Sequence, residues 1–249
     1  MIHFITYGNH NYTNAKKRIC DEARSVGWFD TITSYGPEDL DLEFQNKFKD
    51  ILVRPRGGGY WIWKPYIIKK HLEKIDDDDI LIYMDAGCTI NPSGIDRFKE
   101  YMEMLNNSDN ACISFDTCHQ EKNLTNKEIF DYFNVDINSD IANSGQICAT
   151  NIILKKDIYS INIVDLWFKT LHVNPLLFTD DYNNNPCNRE RPEYIETRHD
   201  QSVFSIIRKL YGIILLGQED WFSDFGSEHS LKFPLWATRK GREDEEDEN

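Results

Sequence analysis

The chain has 249 residues, with 42 Asp and Glu against 28 Lys and Arg and a formal charge of −14. That balance excludes a nucleic-acid binder held by counterion release, because such affinity comes from basic side chains on phosphates. At 40% hydrophobic and 28% charged residues, the composition is that of a globular protein, with core material for one large domain or two small ones.

In chain order, IHFITY reads as a strand ending at Gly8 and Asn9. A helix follows from about Thr13 to Val26, with Ala15, Ile19, Ala23 and Val26 at spacings of three and four. A second strand is expected at Asp30 to Ser34, a helix at Glu38 to Lys49, a short strand at Ile51 to Arg54, and a permissive loop at Gly57-Gly58-Gly59. Trp63 to Lys74 reads as a helix with Pro65 tolerated in its first turn, and Asp76 to Asp79 as its stop, since four carboxylates oppose the dipole at a helix C-terminus. The strongest strand is Ile80 to Met84, running into Asp85-Ala86-Gly87. Further strands fit Ala111 to Phe115, Gln146 to Leu154 and Gly212 to Leu216, with helices near Ser93 to Leu105, Ile158 to Lys169 and Gln201 to Leu210. This interleaving predicts an α/β architecture: one domain over 1–240 whose central, mostly parallel sheet is flanked by helices. The acidic stretch 241–249 reads as a solvated, disordered tail.

No run reaches the roughly 18 apolar residues that span a bilayer, and the opening residues lack the basic and apolar regions of a signal peptide. A soluble cytoplasmic protein without a transmembrane segment is expected. The six cysteines, Cys20, Cys88, Cys112, Cys118, Cys148 and Cys187, show no C-x-x-C spacing and read as free thiols.

Ligands of open α/β sheets bind beyond the carboxyl ends of the strands. Asp85 sits at such a point, and the small Ala86 and Gly87 leave room beside it for an anionic ligand or a cation. Upstream, Arg54, Arg56, three glycines, Trp61, Trp63 and Lys64 combine backbone amides free to approach a phosphate, stacking surfaces and cations. Downstream lie Asn143-Ser144-Gly145 and Arg198-His199-Asp200-Gln201, the latter heading a helix where Asp and Gln also serve as caps. Near the end, His229 and Lys232 fall in a loop, and an imidazole beside a carboxylate suits Mn²⁺.

The ordered set ITYGN, GGGYWIWKPYII, DDDILIYMDAGCTI, NSGQICATNIIL, RHDQSVF and EHSLKFPLW resembles glycosyltransferases of the GT-A fold. The block GYWIWKP followed by DAGC is similar to small bacterial and large-DNA-virus polysaccharide glycosyltransferases, and the motif order is similar to the glycogenin-like family 8. The resemblance implies a nucleotide-sugar donor, UDP-linked by preference, and a glycan or protein acceptor. It implies that Thr6 and Tyr7 contact the base with Arg18 in support. Trp61, Lys64, Asp85, Ala86, Gly87, Asn143, Ser144 and Gly145 would then border the donor, Asp200 and Gln201 would flank the reacting carbon, and Lys232 would reach the diphosphate. Asp85 and His229 would hold Mn²⁺ or Mg²⁺. The second acid of the family's Asp-x-Asp motif is replaced here by Gly87. The glycogenin-like layout implies retention of configuration rather than inversion. The rival readings are a haloacid-dehalogenase-type phosphatase, for which Gly87 stands where an acid is needed, and a non-catalytic sugar or nucleotide-binding module.

Overall fold

The structure is a computed structural model that describes residues 1–241, so all of the acidic stretch except Gly241 lies outside the described residues. The strands among the described residues are β1 (Ile2–Tyr7), β2 (Thr31–Tyr35), β3 (Ile80–Met84), β4 (Thr89–Ile90), β5 (Cys112–Gln120), β6 (Gly145–Ile147), β7 (Asn151–Lys155), β8 (Ile214–Leu216) and β9 (Leu235–Trp236). The five long helices are α1 (Thr13–Val26), α2 (Trp63–Leu72), α3 (Ile95–Asn106), α4 (Ile158–Val173) and α5 (Asp200–Tyr211).

Seven strands form one sheet in the order β2-β1-β3-β7-β5-β6, with β8 also on β5, and β4 pairs with β9 apart from it. β1 is parallel to β2 and β3, and β8 is parallel to β5; β7 and β6 run against them. Five of the seven strands therefore share one direction. Every residue of β3 is buried, because helices cover both faces. The period of two sorts its side chains: Leu81 and Tyr83 join the core of α2, α4 and α5, while Ile80, Ile82 and Met84 join that of α1 and α3. Burying such aliphatic and aromatic side chains contributes about 1.5–3 kcal/mol each.

α1 covers its predicted span and stops at Gly27, whose left-handed φ of 67° ends the helix without a Cβ penalty. Two expectations are corrected. Residues predicted as a strand at Ile51 to Arg54 form a helical turn, Lys49–Leu52, which follows the Asp41-capped helix Leu42–Lys47 and buries Ile51. The predicted strand at Gln146 to Leu154 breaks at residues 148–150 into β6 and β7, both antiparallel to β5.

The three glycines do more than loosen a loop. Gly57, Gly58, Gly59, Tyr60 and Trp61 all have positive φ, between 55° and 93°, and form one left-handed turn. Such backbone costs roughly 1–2 kcal/mol per L-residue, so glycine is favoured over most of it. At Gly59 a Cβ would also lie 2.7 Å from the Leu52 Cα. The N–H groups of residues 58–62 donate to carbonyls of residues 54–59, so they are not held open for a phosphate.

Gly27 and Gly59 separate backbone strain from crowding. Both have positive φ, but a Cβ at Gly27 meets nothing within 4 Å. Gly59→Ala is expected to lower Tm by several degrees more than Gly27→Ala in thermal unfolding; equal losses would show that the approach to Leu52 is not felt.

Candidate active site

The carboxyl ends of β1 and β3 open into a cavity of about 580 Å³. Pairing of Ile5 with Tyr83 carries Tyr7 to the level of Asp85, and pairing of Met84 with Asn151 sets Asp85 beside Thr150, whose carbonyl accepts from the Asp85 N–H at 3.0 Å. Tyr7 stacks on Trp63 with ring centroids 3.8 Å apart. Trp61, on the left-handed turn, adds a second indole to the wall.

The floor is an ion cluster. Lys64, the second residue of α2, is only 2% exposed. Its Nζ donates to the Ala149 carbonyl at 3.0 Å and lies 3.2 Å from Asp85 Oδ1 and 3.0 Å from Asp200 Oδ2. The Tyr83 hydroxyl donates to the same Asp85 oxygen. Asp200 opens α5, where the helix dipole favours negative charge, and is 4% exposed; its Oδ2 has the ammonium as a charge partner but no aligned hydrogen bond.

Two carboxylates share one ammonium here, so one acid is under-compensated. Burial pulls the Lys64 pKa down, but Asp200 and Asp85 outweigh it and hold it above the usual lysine value. Burial pushes Asp200 up to about 6, helped by the Asp85 charge and resisted by Lys64. The site thus holds a charged lysine beside a carboxylic acid that gains or loses its proton near neutrality.

Around this floor, the break at 148–150 supplies Ala149 and Thr150 to the cavity. Gln201 fixes that break, accepting from the Ala149 N–H at 3.1 Å and donating to Gln146 Oε1 at 2.6 Å. The rim is charged. Arg56 faces Asp180 at 3.2 Å and Glu196 at 2.9 Å. His199 sits 2.9 Å from Asp180, stacks on Tyr60, and is held at φ 54°; burial lowers its pKa despite the Asp180 charge.

Of the residues predicted for the site, Tyr7, Trp61, Lys64, Asp85, Ala86, Gly87, Asp200 and Gln201 line this one cavity. Others lie elsewhere. Thr6 is wholly buried in the sheet, its hydroxyl without a partner, because alternate residues of β1 face opposite layers. Arg18 sits behind the cavity, paired with Glu22 at 2.7 Å, and donates to the Ala86 carbonyl at 3.0 Å, bracing the Asp85 turn from outside. Asn143 and Ser144 stand before β6, Gly145 opens it, and all three are taken up locally: Asn143 by Lys122 and the Asn138 and Ser139 carbonyls, Ser144 by the Ile141 carbonyl, and Gly145 against Asp116. His229 and Lys232 are exposed and outside the cavity lining, with His229 edge-on to Phe222 and Phe233.

A divalent ion held by Asp85 and His229 does not fit the residues present. Asp85 Oδ1 already faces Lys64 and Tyr83. Among the described residues, no group of three or more His, Cys, Asp or Glu side chains is arranged to hold a metal. Sequence reasoning missed Asn9 and Tyr12, both from the connection between β1 and α1, and Thr150, Glu196 and Arg239, which also line the cavity; their only signal was polar character beside strand or helix ends.

Removing Lys64 would leave two carboxylates facing each other in a buried site. Lys64→Met is expected to cost about 3–5 kcal/mol in denaturant unfolding, and the cost should shrink when Asp200→Asn is present in the same chain. An unchanged cost would mean that the pair is not coupled through Lys64. Because the Asp200 pKa is raised by folding, its contribution to stability is complete below the ordinary carboxylate value and is lost as pH rises through about 6. Asp200→Asn should flatten that part of the stability–pH curve.

No family model and no curated protein matches the chain. Among solved structures, a glycosyltransferase involved in the glycosylation of the major capsid of PBCV-1 is similar with TM-score 0.51 and 12% identity, over 94% of this chain and 92% of that one. The apo-form glycosyltransferase GlyE of Streptococcus pneumoniae TIGR4 gives TM-score 0.46 at 12% identity over 87% of this chain and 45% of its own. Mouse xyloside xylosyltransferase 1 gives 0.47 at 10% identity over 89% and 87%. At such identities the likeness concerns the fold. The mostly parallel sheet, the helices on both its faces and the first of these superpositions give this chain a GT-A-like fold, shared with that glycosyltransferase.

Proposed function

We propose that this chain transfers a hexosyl group from a nucleotide-sugar donor, UDP-linked by preference, to a hydroxyl of a glycan or protein acceptor. The observation that carries this reading is the Lys64 ammonium between Asp85 and Asp200, at the floor of a cavity walled by Tyr7, Trp61 and Trp63. Aromatic faces beside the end of β1 suit a nucleoside base, and the Ala86 and Gly87 turn leaves space for a diphosphate. Asp200 then stands where the donor sugar would lie.

The transfer breaks the bond between the anomeric carbon and the phosphate oxygen, and the nucleoside diphosphate leaves with the electron pair. The acceptor oxygen bonds to the carbon and gives up its proton. In the retaining course that we favour, the leaving phosphate oxygen takes that proton, while the Asp200 carboxylate stabilises positive charge building on the sugar. Lys64 does not have to touch the phosphate for this. It keeps both carboxylates in place and offsets their charge as the diphosphate enters. The unpaired thiols, four of them buried, support a reducing compartment and hence a cytoplasmic reaction. No helix of the described residues is long and apolar enough to cross a membrane.

Asp85→Ala is expected to abolish donor binding, whereas Asp200→Asn keeps donor binding and lowers transfer or donor hydrolysis by at least 100-fold. Since the ionised Asp200 is the active form, kcat/KM of the wild type should fall as pH drops through about 6. Release of nucleoside diphosphate from a panel of nucleotide sugars reads turnover, and calorimetric titration of the same donors reads binding. Unimpaired turnover in both variants would remove the site, and binding without turnover in the wild type would favour a binding module.

A further inference from the structure

The position of the missing second acid is crowded by backbone from the C-terminal region. Residues 237–240 cross over the Asp85-Ala86-Gly87 turn as a strap, joined to the body by the β4–β9 pairing of Thr89 with Trp236 and Ile90 with Leu235. The Ala237 N–H donates to the Asp220 carbonyl at 2.7 Å. The Thr238 hydroxyl and the Lys240 N–H both donate to the Gly87 carbonyl, at 2.9 and 2.8 Å. A Cβ on Gly87 would lie 3.3 Å from the Lys240 carbonyl oxygen and 3.4 Å from the Arg239 Cα. There is little room there for the side chain of an acid, and the strap takes that space.

What the strap brings instead is a cation. Arg239 lines the cavity on the Gly87 side, while Lys232 and His229, also in the C-terminal region, do not. Its backbone has φ 55°, a conformation that a non-glycine residue keeps only when its neighbours hold it there, and the contacts of Thr238 and Lys240 with Gly87 do so. Among the described residues the lining carries Arg56, Lys64, Arg198 and Arg239 against Asp85, Glu196 and Asp200, a small cationic excess in a chain with a strong acidic one. A guanidinium presents a planar fork of donors matched to phosphate oxygens.

Resting on the donor reading above, we infer that this site binds the diphosphate of its donor without a divalent ion, with Arg239 on the strap as the diphosphate ligand and Lys64 as the fixed cation beneath it. The two cations divide the task. Lys64 has its contacts in place before any ligand arrives and neutralises the two acids; Arg239 meets the phosphate oxygens directly.

Calorimetric titration of UDP, and of GDP, CDP and dTDP in parallel, into the full chain separates the possibilities. The chain is first dialysed against EDTA, and the titration is then repeated with Mn²⁺. One nucleoside diphosphate is expected to bind in EDTA, with its Kd changed less than twofold by Mn²⁺. Arg239→Ala should weaken that binding at least tenfold, and Lys232→Ala should leave it unchanged. Tightening of tenfold or more on adding Mn²⁺ would overturn the inference while leaving the donor reading intact, as would wild-type affinity in Arg239→Ala. Failure of all four nucleotides to bind under either condition would remove the donor reading and this inference with it.

Discussion

A single buried ammonium ties together the parts of the chain that make the site. Lys64 enters from α2, Asp85 from the end of β3, Ala149 from the break between β6 and β7, and Asp200 from the start of α5. A lysine this deeply buried is tolerated only where its charge and donors are matched, because its desolvation alone would cost several kcal/mol. The match is imperfect in one respect. Two acids share one cation, and the excess negative charge appears in the raised pKa of Asp200. The constraint that stabilises the floor of the cavity therefore also prepares one carboxyl group for chemistry.

The left-handed turn at residues 57–61 is the second constraint, and it follows from the first. α2 must begin with Lys64 under the cavity, so the chain has to enter that helix tightly from Leu52. Three glycines take up most of the strain, and stacking of His199 on Tyr60 and the bond from the Trp63 indole N–H to the Gly57 carbonyl at 3.0 Å hold the rest. His199, itself at positive φ, stands next to Asp200. Strained backbone thus gathers on two sides of the same cavity, as expected where a site is fixed before its ligand arrives.

Much of this was legible in the sequence. The apolar runs with period two and the helical spacings gave β1, α1, α2 and β3 nearly to the residue, the end of β3 pointed to Asp85, and resemblance pointed to Tyr7. Lys64 and Asp200 stood out as charged residues at helix starts, but their shared contact is a long-range fact that no local pattern carries. The short strand expected at Ile51 to Arg54 failed because β-branched Ile51 and Val53 suggested extended chain where helical packing beneath the glycine turn decides. Asn143 to Gly145 and His229 were placed by resemblance. The structure sets the first group at the start of β6 and faces the second against Phe222 and Phe233, while Ala149, Thr150 and Arg239 occupy the cavity instead.

A crystal structure with an unhydrolysed nucleotide sugar tests the central claim most directly. The account predicts the base against Tyr7 and Trp63, the diphosphate over Ala86 and Gly87, and the anomeric carbon beside Asp200, with Lys64 still joining Asp85 to Asp200. A donor bound outside this cavity, or bound with the sugar turned away from Asp200, would contradict it.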